Sequence, residues 1–468
     1  HTPPPRPACW TLLGLLLFVP VALGDEPLLL HQPRADYQAR RKELMKRIKE
    51  TVGRGREAVL VLRGEDDRGR EDFEIGRFRQ KNLFAYLTGV EVPGAYLILR
   101  PNQDNETLYL PPDSRNREGS RLAPSPEVAE ALGFAKVEST ARFLGDLFGA
   151  IGDPLRGGFG SRSKTIVYTS MPRSRGSRPP EGPEARFVRF LQEGAPTTEF
   201  RDIAAPIAEL RKVKTEAELA LLRRAIAITG EAQEAVLRVI RPGLYEYQLE
   251  GKILDAFLGG GAERPGFASI VGSGPNSTIP HYFENRRRIE EGDLVVVDIG
   301  AEYHYYTADI TRTYPASGTF TPRQREVYRL VLDAQVAAAE HMKPGETRLS
   351  EMTGWVRGYL DKSPLRAKDE DGQEHTMGHF FIHGLGHYLG MDVHDPGDTS
   401  KPLQVGEVFT IEPGIYIKSE NLGVRIEDDY LMTENGPVKL SQEIPSDPDE
   451  IEQRIARSRA SKAEAGGR

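Results

Sequence analysis

Cysteine is nearly absent from this 468-residue sequence, and its single copy, Cys9, lies in an N-terminal segment that we expect to be removed. The mature chain is therefore expected to have no disulfide, no reactive thiol and no cysteine-ligated metal. Any metal site in the chain must then be built from histidine, aspartate and glutamate side chains.

Long apolar runs are also scarce, because only residues 10–23 form a run of the kind that directs a protein to a membrane. Ala22 and Gly24 place small residues at the two positions that a signal peptidase reads, so residues 1–24 predict a secretory signal cleaved before Asp25. An uncleaved anchor is the alternative, but the run is shorter than the about 20 residues that a bilayer span needs. We therefore expect a secreted or periplasmic protein with no stable membrane span after cleavage.

A strong excess of charge of one sign is missing as well, since 62 basic residues face 69 acidic ones, for a formal net charge of -7. So small an imbalance over so long a chain gives no basic surface for nucleic acid, and we expect no nucleic-acid partner. With 38% hydrophobic and 28% charged residues, the composition is that of a globular protein, and the length of 468 residues suits two or three domains.

Residues 25–202 predict an α/β domain. Their short apolar runs are rich in β-branched and aromatic residues, which favour strands, and helix-like segments lie between or after them. A surface loop rich in proline, glycine, serine and arginine is predicted at residues 171–183. The predicted helices lie at residues 37–52, 127–132 and 184–191, and the predicted strands at 58–62, 95–99, 107–110 and 165–168.

Residues 203–468 predict an α+β domain in which helices cover a curved antiparallel sheet. Thr215 and Glu218 form a capping box, in which the two side chains satisfy unpaired N–H groups at a helix start. Pro322 after Thr321 marks another helix start. The predicted helices lie at residues 215–240, 245–258 and 321–342, and the predicted strands at 293–298, 308–313, 408–412 and 424–429.

Two aspartates lie on neighbouring apolar strands that a hairpin turn could join. Asp298 and Asp309 are each flanked by β-branched or apolar residues, so both are expected to be at least partly buried. A lone buried carboxylate is costly, and a bound cation would make its burial tolerable. The alternative is an aspartate at a strand end that accepts hydrogen bonds from turn N–H groups.

Histidines are concentrated in one short segment, where His383, His387 and His394 account for three of the ten in the chain. The glycines between them permit tight turns and a close approach of the backbone to another group. Packed histidines in a glycine-rich loop are the alternative interpretation, and for any single histidine it has about equal weight.

Two further segments carry charged residues beside apolar strands. Glu412 ends an apolar strand, and Tyr416 follows it across a turn. Arg425 and Glu427 are expected to lie on one face of the next strand, because side chains alternate along a strand. A surface salt bridge, which would contribute little stability, is the alternative for this pair.

Taken together, these segments supply four carboxylates and one imidazole that could meet at one site. Four carboxylates packed closely could not all remain ionised without cations, and two divalent ions would cancel their charge. A ligand set rich in oxygen with a single nitrogen suits Mn²⁺ or another hard to borderline ion. Two such ions, about 3.5–4 Å apart, can lower the pKa of a bridging water and polarise a carbonyl.

With these residues in place, the chain resembles the pita-bread metallopeptidases, the group of aminopeptidase P, prolidase, methionine aminopeptidase and creatinase. The resemblance covers nearly the whole mature chain. Residues 84–95 are similar to the N-terminal domain of aminopeptidase P, and residues 241–315 and 383–395 to the catalytic domain of the bacterial enzyme. It implies an aminopeptidase P-type domain over residues 25–202 and a pita-bread catalytic domain over residues 203–468.

The resemblance implies that two divalent ions, with Mn²⁺ expected, are held by five side chains. Asp298 would bind the first ion, and Asp309 and Glu427 would bridge both. His387 and Glu412 would complete the second site.

Further roles follow from the same resemblance. Glu412 would also carry a proton from the bridging water to the leaving proline nitrogen. His383 and His394 would hydrogen-bond the scissile carbonyl as it develops negative charge. The remaining substrate-binding residues would be His281, which lines the proline site, and Tyr416 and Arg425, which support the site and the downstream substrate.

The implied activity is hydrolysis by a metal-bridging hydroxide that releases the N-terminal residue from peptides with proline in the second position. The bond before proline is a tertiary amide without an N–H group, so a shallow pocket of histidines and apolar atoms could hold the ring. The expected partners are such peptides and further copies of the chain, since relatives commonly form dimers or tetramers.

Several alternatives share the fold. Prolidase has the same five ligands and cleaves only Xaa-Pro dipeptides, whereas the motif around residues 86–89 favours aminopeptidase P. Methionine aminopeptidase lacks this N-terminal domain, and creatinase lacks the metals. A catalytically silent peptide-binding protein of the same fold is a further alternative from another functional class, but such relatives usually lose metal ligands, and all five are present here.

Overall fold

The structure, a computed structural model, describes residues 29–53, 55–66, 78–116, 119–152, 164–172 and 181–466. The predicted secretory signal at residues 1–24 lies outside the described residues, and so does most of the predicted loop at residues 171–183. Within the described residues, no helix has the length and apolar character that crossing a bilayer requires.

The N-terminal half is built on a mixed six-stranded sheet with strand order β4-β3-β2-β1-β5-β6. The central strand β1 pairs antiparallel with β2 and parallel with β5. The strands are β1 (Glu57–Arg63), β2 (Tyr96–Arg100), β3 (Asn105–Leu110), β4 (Lys136–Ser139), β5 (Thr165–Thr169) and β6 (Glu199–Asp202). The helices are α1 (Arg34–Val52), α2 (Asn82–Thr88), α3 (Pro126–Leu132), α4 (Phe143–Ile151), α5 (Pro183–Gly194) and α6 (Ala204–Arg211).

Helices cover both faces of this sheet, which explains why its strands are continuous apolar runs. Along β1, Leu60 and Leu62 belong to one hydrophobic core, and the alternate residues Val59 and Val61 belong to another. Since side chains alternate across a strand, a strand covered on both faces has no polar face. The predicted α/β character of this half is confirmed.

The C-terminal half contains most of the protein's antiparallel strand pairs. Its helices are α7 (Glu216–Leu237), α8 (Glu246–Gly259), α9 (Pro322–His341), α10 (Leu349–Asp361) and α11 (Pro448–Gly466). Its strands are β7 (Arg264–Pro265), β8 (Ile270–Ser273), β9 (Leu294–Ile299), β10 (Ala301–Tyr303), β11 (Tyr306–Thr307), β12 (Ile310–Pro315), β13 (Arg366–Lys368), β14 (Glu374–Thr376), β15 (Val408–Ile411), β16 (Gly414–Ile417), β17 (Leu422–Arg425), β18 (Asp428–Thr433) and β19 (Gly436–Lys439).

Two long helices begin where the sequence predicts. At the start of α7, the Glu218 N–H donates to the Thr215 hydroxyl at 3.3 Å, and the Thr215 N–H donates to the Glu218 carboxylate at 2.8 Å. Thr321 and Gln324 form the same arrangement at the start of α9. Such reciprocal caps satisfy N–H groups that a helix start would leave unpaired, so they fix where each helix begins.

The strands that approach the candidate site form short antiparallel sheets with orders β12-β9-β8, β15-β18-β19 and β16-β17. Helices α7 and α9 pack against these strands around one large hydrophobic core. The predicted arrangement of helices over antiparallel strands is therefore confirmed, with the strands divided among several short sheets.

The predicted strand at residues 424–429 is wrong, because the chain is interrupted at Ile426 and Glu427 between β17 and β18. The expected pairing of the two strands at the aspartates is confirmed, because β9 pairs antiparallel with β12, and the short hairpin of β10 and β11 lies between them in the sequence. At the interruption, the Glu427 N–H donates to the Thr311 carbonyl at 3.1 Å. This interruption lies beside the candidate site.

Candidate metal centre

The five predicted ligand residues line one cavity of about 360 Å³. Asp298 lies on β9, Asp309 directly precedes β12, and Glu412 directly follows β15. Glu427 lies in the interruption between β17 and β18, and His387 lies in the irregular segment before β15. Side chains separated by up to 129 positions in the sequence therefore meet at one place.

The imidazole of His387 lies among three of the carboxylates. Its Nε2 is 3.3 Å from Asp309 Oδ2, 3.5 Å from Glu412 Oε1 and 4.0 Å from Glu427 Oε1. Potential ligand atoms of His387, Asp309 and Glu427 all lie within 4.8 Å of one another, a spacing that one metal ion can bridge. This convergence is the central geometric feature of the site.

His387 reaches this position because its segment runs antiparallel to β15. The Thr410 N–H donates to the His387 carbonyl at 2.9 Å, and the Glu412 N–H donates to the Leu385 carbonyl at 2.8 Å. Gly386 is required at the point of closest approach, since a Cβ atom there would lie 2.0 Å from the Thr410 carbonyl oxygen. The close backbone approach that the glycines predict is present here.

The tautomer of His387 is set by a backbone contact. Its Nδ1 lies 3.1 Å from the Tyr388 carbonyl oxygen, which can only accept a hydrogen bond, so Nδ1 carries the proton. The Nε2 lone pair is then directed at the carboxylates, as a metal ligand requires.

The carboxylates are buried in a way that suits bound cations. Burial raises the pKa of Asp309, and the nearby charges of Asp298, Asp429 and Glu412 raise it further. Burial, followed by the charge of Asp309, likewise raises the pKa of Glu427 well above its usual range. Ionised carboxylates this close to one another need a compensating positive charge.

Unpaired oxygen atoms give a second sign of fit. The described part of the chain offers no hydrogen-bond donor to Asp298 Oδ1 or Asp309 Oδ1, although both atoms are buried. Buried polar atoms normally have a partner, so these two are explained if a metal ion takes them. The residues present therefore fit a divalent metal centre.

Arg425 and Thr311 donate hydrogen bonds to two of the carboxylates, those of Asp298 and Glu427. Arg425 donates to Asp298 Oδ2 at 2.6 Å and to Thr311 Oγ1 at 3.1 Å. The Thr311 hydroxyl in turn donates to Glu427 Oε2 at 2.6 Å. Arg425 is 3% exposed and Glu427 is 2% exposed, so the surface salt bridge considered for this pair is wrong.

Sequence reasoning missed Thr311, although a signal for it was present. Thr311 is two positions after Asp309, and alternation along a strand places both side chains on the same face. A threonine on the face that carries a buried carboxylate is a candidate hydrogen-bond donor.

His383 is engaged on both ring nitrogens. Its Nδ1 lies 2.8 Å from the Gly384 carbonyl oxygen, and its Nε2 lies 2.8 Å from the Tyr416 hydroxyl, which also accepts from Arg425. Burial, followed by the charge of Arg425, lowers the pKa of His383 to about 4, so the ring is neutral at pH 7. The predicted contact of His383 with a scissile carbonyl therefore requires one of these two contacts to be exchanged.

His394 and His281 line the same cavity. The ring of His394 lies edge-on to that of His387, with 4.3 Å between centroids, and partial burial lowers the pKa of His394. The ring of His281 is parallel to that of Phe283, with 6.1 Å between centroids. The predicted substrate-binding histidines are thus brought together beside the carboxylates.

Charged side chains hold the turn that carries His394. Arg211 lies 2.5 Å from Asp395 and 2.6 Å from Asp392, which flank this histidine. Asn82, from the N-terminal half, donates to Asp392 Oδ1 at 2.7 Å. The N-terminal half therefore takes part in fixing a wall of the site, which the sequence did not predict.

A second cluster of possible ligands lies on the hairpin of β13 and β14. His375 and Asp369 are 2.7 Å apart, and His379 stacks on His375. Asp369 also accepts hydrogen bonds from the N–H groups of the same hairpin turn. These contacts are those of a stabilised turn, and parallel stacked rings do not direct their nitrogen lone pairs at one ion.

Comparison with known families agrees with this geometry. Residues 37–152 match the family model described as "Aminopeptidase P, N-terminal domain", and residues 220–434 match the one described as "Metallopeptidase family M24". The boundary at residues 202 and 203 falls between the two matched ranges and stays a prediction.

Individual relatives span most of the chain. A protein of Escherichia coli K12 named Xaa-Pro aminopeptidase is 34% identical over 456 residues, which cover 90% of this chain and 97% of that protein. The structure of "Proline aminopeptidase P II from Yersinia pestis" matches with a TM-score of 0.74 and 30% identity, and covers 91% of this chain and 100% of that one.

A third relative matches over a shorter range. An Xaa-Pro dipeptidase of Pyrococcus furiosus is 38% identical over 260 residues, which cover 55% of this chain and 70% of that protein. Of these three matches, the two that span most of this chain are thus to aminopeptidases. The chain belongs to the Xaa-Pro aminopeptidases of metallopeptidase family M24.

Proposed function

We propose that this enzyme hydrolyses the bond between the first residue of a peptide and a proline in the second position. The observation that carries the proposal is the meeting of Asp309, His387, Glu412 and Glu427 in one open cavity. The cavity is lined by histidines as well as carboxylates, so it can polarise a carbonyl as well as hold metal ions. The relatives that match over most of the chain carry the same activity in their names.

Divalent metal ions belong to the catalytic machinery of this family, and we propose two ions per chain, with Mn²⁺ the native metal. Four carboxylates and one imidazole supply the charge and the number of ligands for a pair, in the arrangement Asp298, Asp309, His387, Glu412 and Glu427. Oxygen-rich ligation with one nitrogen supports Mn²⁺. When bound, such ions lower the pKa of a water molecule and polarise the carbonyl to be attacked.

Glu412 is positioned to move the proton. Its Oε1 lies 3.5 Å from His387 Nε2, and its Oε2 lies 3.7 Å from His383 Nδ1. The carboxylate therefore lies near both a proposed metal ligand and a proposed substrate-binding histidine. Burial raises the pKa of this carboxylate, and the charge of Arg425 opposes that shift. We propose that Glu412 takes a proton from the attacking water and delivers it to the proline nitrogen as the bond breaks.

The apolar part of the cavity lining suits a proline ring. The nitrogen of proline has no hydrogen in a peptide bond, so an enzyme that acts before proline cannot grip it through that atom. Apolar surfaces can hold the flat ring by packing alone. The cavity lining provides them through Phe267, Ile270, Pro280, Phe283 and Val393.

The substrate range distinguishes this proposal from prolidase activity. We expect the purified enzyme in Mn²⁺ to cleave an Ala-Pro-Ala tripeptide, with release of free alanine, much faster than an Ala-Pro dipeptide. The reason is that the cavity is open and can accept residues beyond the proline. Release of alanine can be followed by chromatography, with Ala-Ala-Ala as the control that lacks proline.

Cleavage confined to the dipeptide would replace the proposal with prolidase activity. No cleavage of either peptide by metal-loaded protein would favour the silent peptide-binding alternative. The comparisons support cleavage of the tripeptide, because the aminopeptidase match covers 90% of this chain and the dipeptidase match covers 55%.

We also propose that residues 1–24 export the protein and that it works as a homo-oligomer. The small residues before Asp25 support export, and the resemblance to oligomeric relatives supports self-association. An exported protein that does not begin at Asp25, or a monomer in light scattering, would contradict these proposals.

A further inference from the structure

Two buried glutamines occupy equivalent positions behind the metal centre. Gln233 lies on α7 and is 0% exposed, and Gln335 lies on α9 and is 1% exposed. A buried primary amide is costly unless its hydrogen bonds are made, so the contacts of each side chain are informative. Neither residue belongs to the cavity lining.

Gln233 connects the two strands that carry the aspartates. Its amide nitrogen donates to the Val297 carbonyl at 3.2 Å and to the Ile310 carbonyl at 3.0 Å. Val297 directly precedes Asp298, and Ile310 directly follows Asp309. The amide oxygen accepts a hydrogen bond from the Tyr314 hydroxyl at 2.9 Å, which fixes the orientation of the amide.

Gln335 connects the two segments that carry the glutamates. Its amide nitrogen donates to the Ile411 carbonyl at 2.9 Å and to the Ile426 carbonyl at 3.2 Å, and it lies 3.1 Å from Asp428 Oδ2. Ile411 directly precedes Glu412, and Ile426 directly precedes Glu427. Each helix thus ties together the backbone beside one pair of carboxylates.

Strand pairing alone leaves these carboxylates poorly fixed. Asp309 and Glu412 lie one residue outside β12 and β15, and Glu427 lies between two strands. At three of the four carboxylates the regular ladder has therefore stopped, and single hydrogen bonds remain, from the Glu412 N–H to the Leu385 carbonyl and from the Glu427 N–H to the Thr311 carbonyl. Metal ligation needs the ligand atoms held to within about 0.5 Å, and a restraint across each pair of segments adds to these single hydrogen bonds.

We infer that Gln233 and Gln335 are positioning residues that set the separation within each pair of carboxylates and so the affinity of the centre for metal. The inference rests on the proposed function. Asp298 is the proposed ligand of one ion, and Glu412 is the proposed ligand of the other. Gln233 therefore affects mainly the binding of the first ion, and Gln335 affects mainly the binding of the second. Neither glutamine touches substrate or metal.

The test replaces each amide by a side chain of similar length that cannot donate a hydrogen bond. We expect Gln233→Met and Gln335→Met to raise the Mn²⁺ concentration for half-maximal activity by at least about tenfold, as loss of supporting contacts does at metal sites. Saturating Mn²⁺ should restore most of kcat and leave KM unchanged. Titration calorimetry with Mn²⁺ should show that one of the two ions binds more weakly in each variant.

Matched controls separate positioning from loss of stability. Val236→Ala on α7 and Val331→Ala on α9 shorten fully buried side chains of the same helices and should lower the melting temperature without changing the Mn²⁺ dependence. If either methionine variant does not fold, Gln→Asn at the same position keeps the amide but is too short to reach both carbonyls, and should show the same shift.

Two results would overturn the inference. One is an unchanged Mn²⁺ dependence in folded variants of both glutamines. The other is an equal change of Mn²⁺ dependence in the valine controls, because the effect would then follow from stability alone. Failure of the proposed function looks different, since the unmodified enzyme would itself show no activity dependent on Mn²⁺.

Discussion

Replacement of Asp309 by asparagine is expected to abolish turnover. Asp309 is 5% exposed, and its Oδ2 lies 3.3 Å from His387 Nε2, in the middle of the ligand cluster. The substitution keeps the shape of the side chain but removes the charge that Asp309 would supply as the proposed bridging ligand. We expect kcat/KM for Ala-Pro-Ala to fall by more than about three orders of magnitude.

The result is checked by steady-state kinetics together with metal analysis of the same preparation. Asp369→Asn is the matched control, because Asp369 lies on the hairpin of β13 and β14, away from the cavity, and should leave activity unchanged. Activity close to normal in Asp309→Asn, with metal still bound, would contradict the assignment of Asp309 as a ligand.

Replacement of His394 by alanine should have a different effect, because this ring lines the cavity without joining the carboxylates. His394 lies edge-on to His387 and can face the carbonyl under attack. Loss of one such donor typically costs about 10²–10³-fold in kcat. We therefore expect kcat to fall by this amount while the metal content stays that of the unmodified enzyme.

Metal analysis decides between two roles of His394. If His394→Ala loses one ion, the histidine is a metal ligand, and the role in carbonyl binding is wrong. His341→Ala is the matched control, because His341 lies at the end of α9, stacks on Trp355 and is outside the cavity lining. That variant should retain both full activity and full metal content.

Helix starts were the most predictable elements of the fold. The capping box of Thr215 and Glu218 is a local pattern, because each cap partner lies three residues from the other. The strand β1 was also predictable, since burial on both faces leaves a continuous apolar run. Patterns confined to a few neighbouring residues carry this information without reference to the rest of the chain.

Strand interruptions at the site were not predictable in the same way. An apolar run with alternating charges at residues 424–429 has the pattern of one strand, yet the chain breaks at Ile426 and Glu427. The Glu427 N–H donates to the Thr311 carbonyl instead, at 3.1 Å. Thr311, 116 positions earlier in the sequence, also donates a hydrogen bond to the Glu427 side chain. The local geometry therefore depends on a distant residue, which no short sequence pattern indicates.

The side chains that meet in the cavity were identifiable as candidate ligands, because carboxylates within apolar strands are costly and suggest a compensating ion, and the family resemblance implied the same five residues. The supporting residues were not. Asn82, Arg211, Gln233 and Gln335 are polar residues on helices, where solvent exposure is the ordinary expectation. Only the folded chain shows that Asn82 and Arg211 hold the turn of His394 and that the glutamines lie behind the metal centre.

The central claim is that five side chains from distant parts of the sequence surround a pair of metal ions. The most direct test is an anomalous difference map from crystals grown with Mn²⁺, recorded near the manganese absorption edge. We predict two peaks, about 3.5–4 Å apart, in contact with Asp298, Asp309, His387, Glu412 and Glu427. A map with no peak in this cavity, or with manganese bound only elsewhere on the protein, would contradict the account.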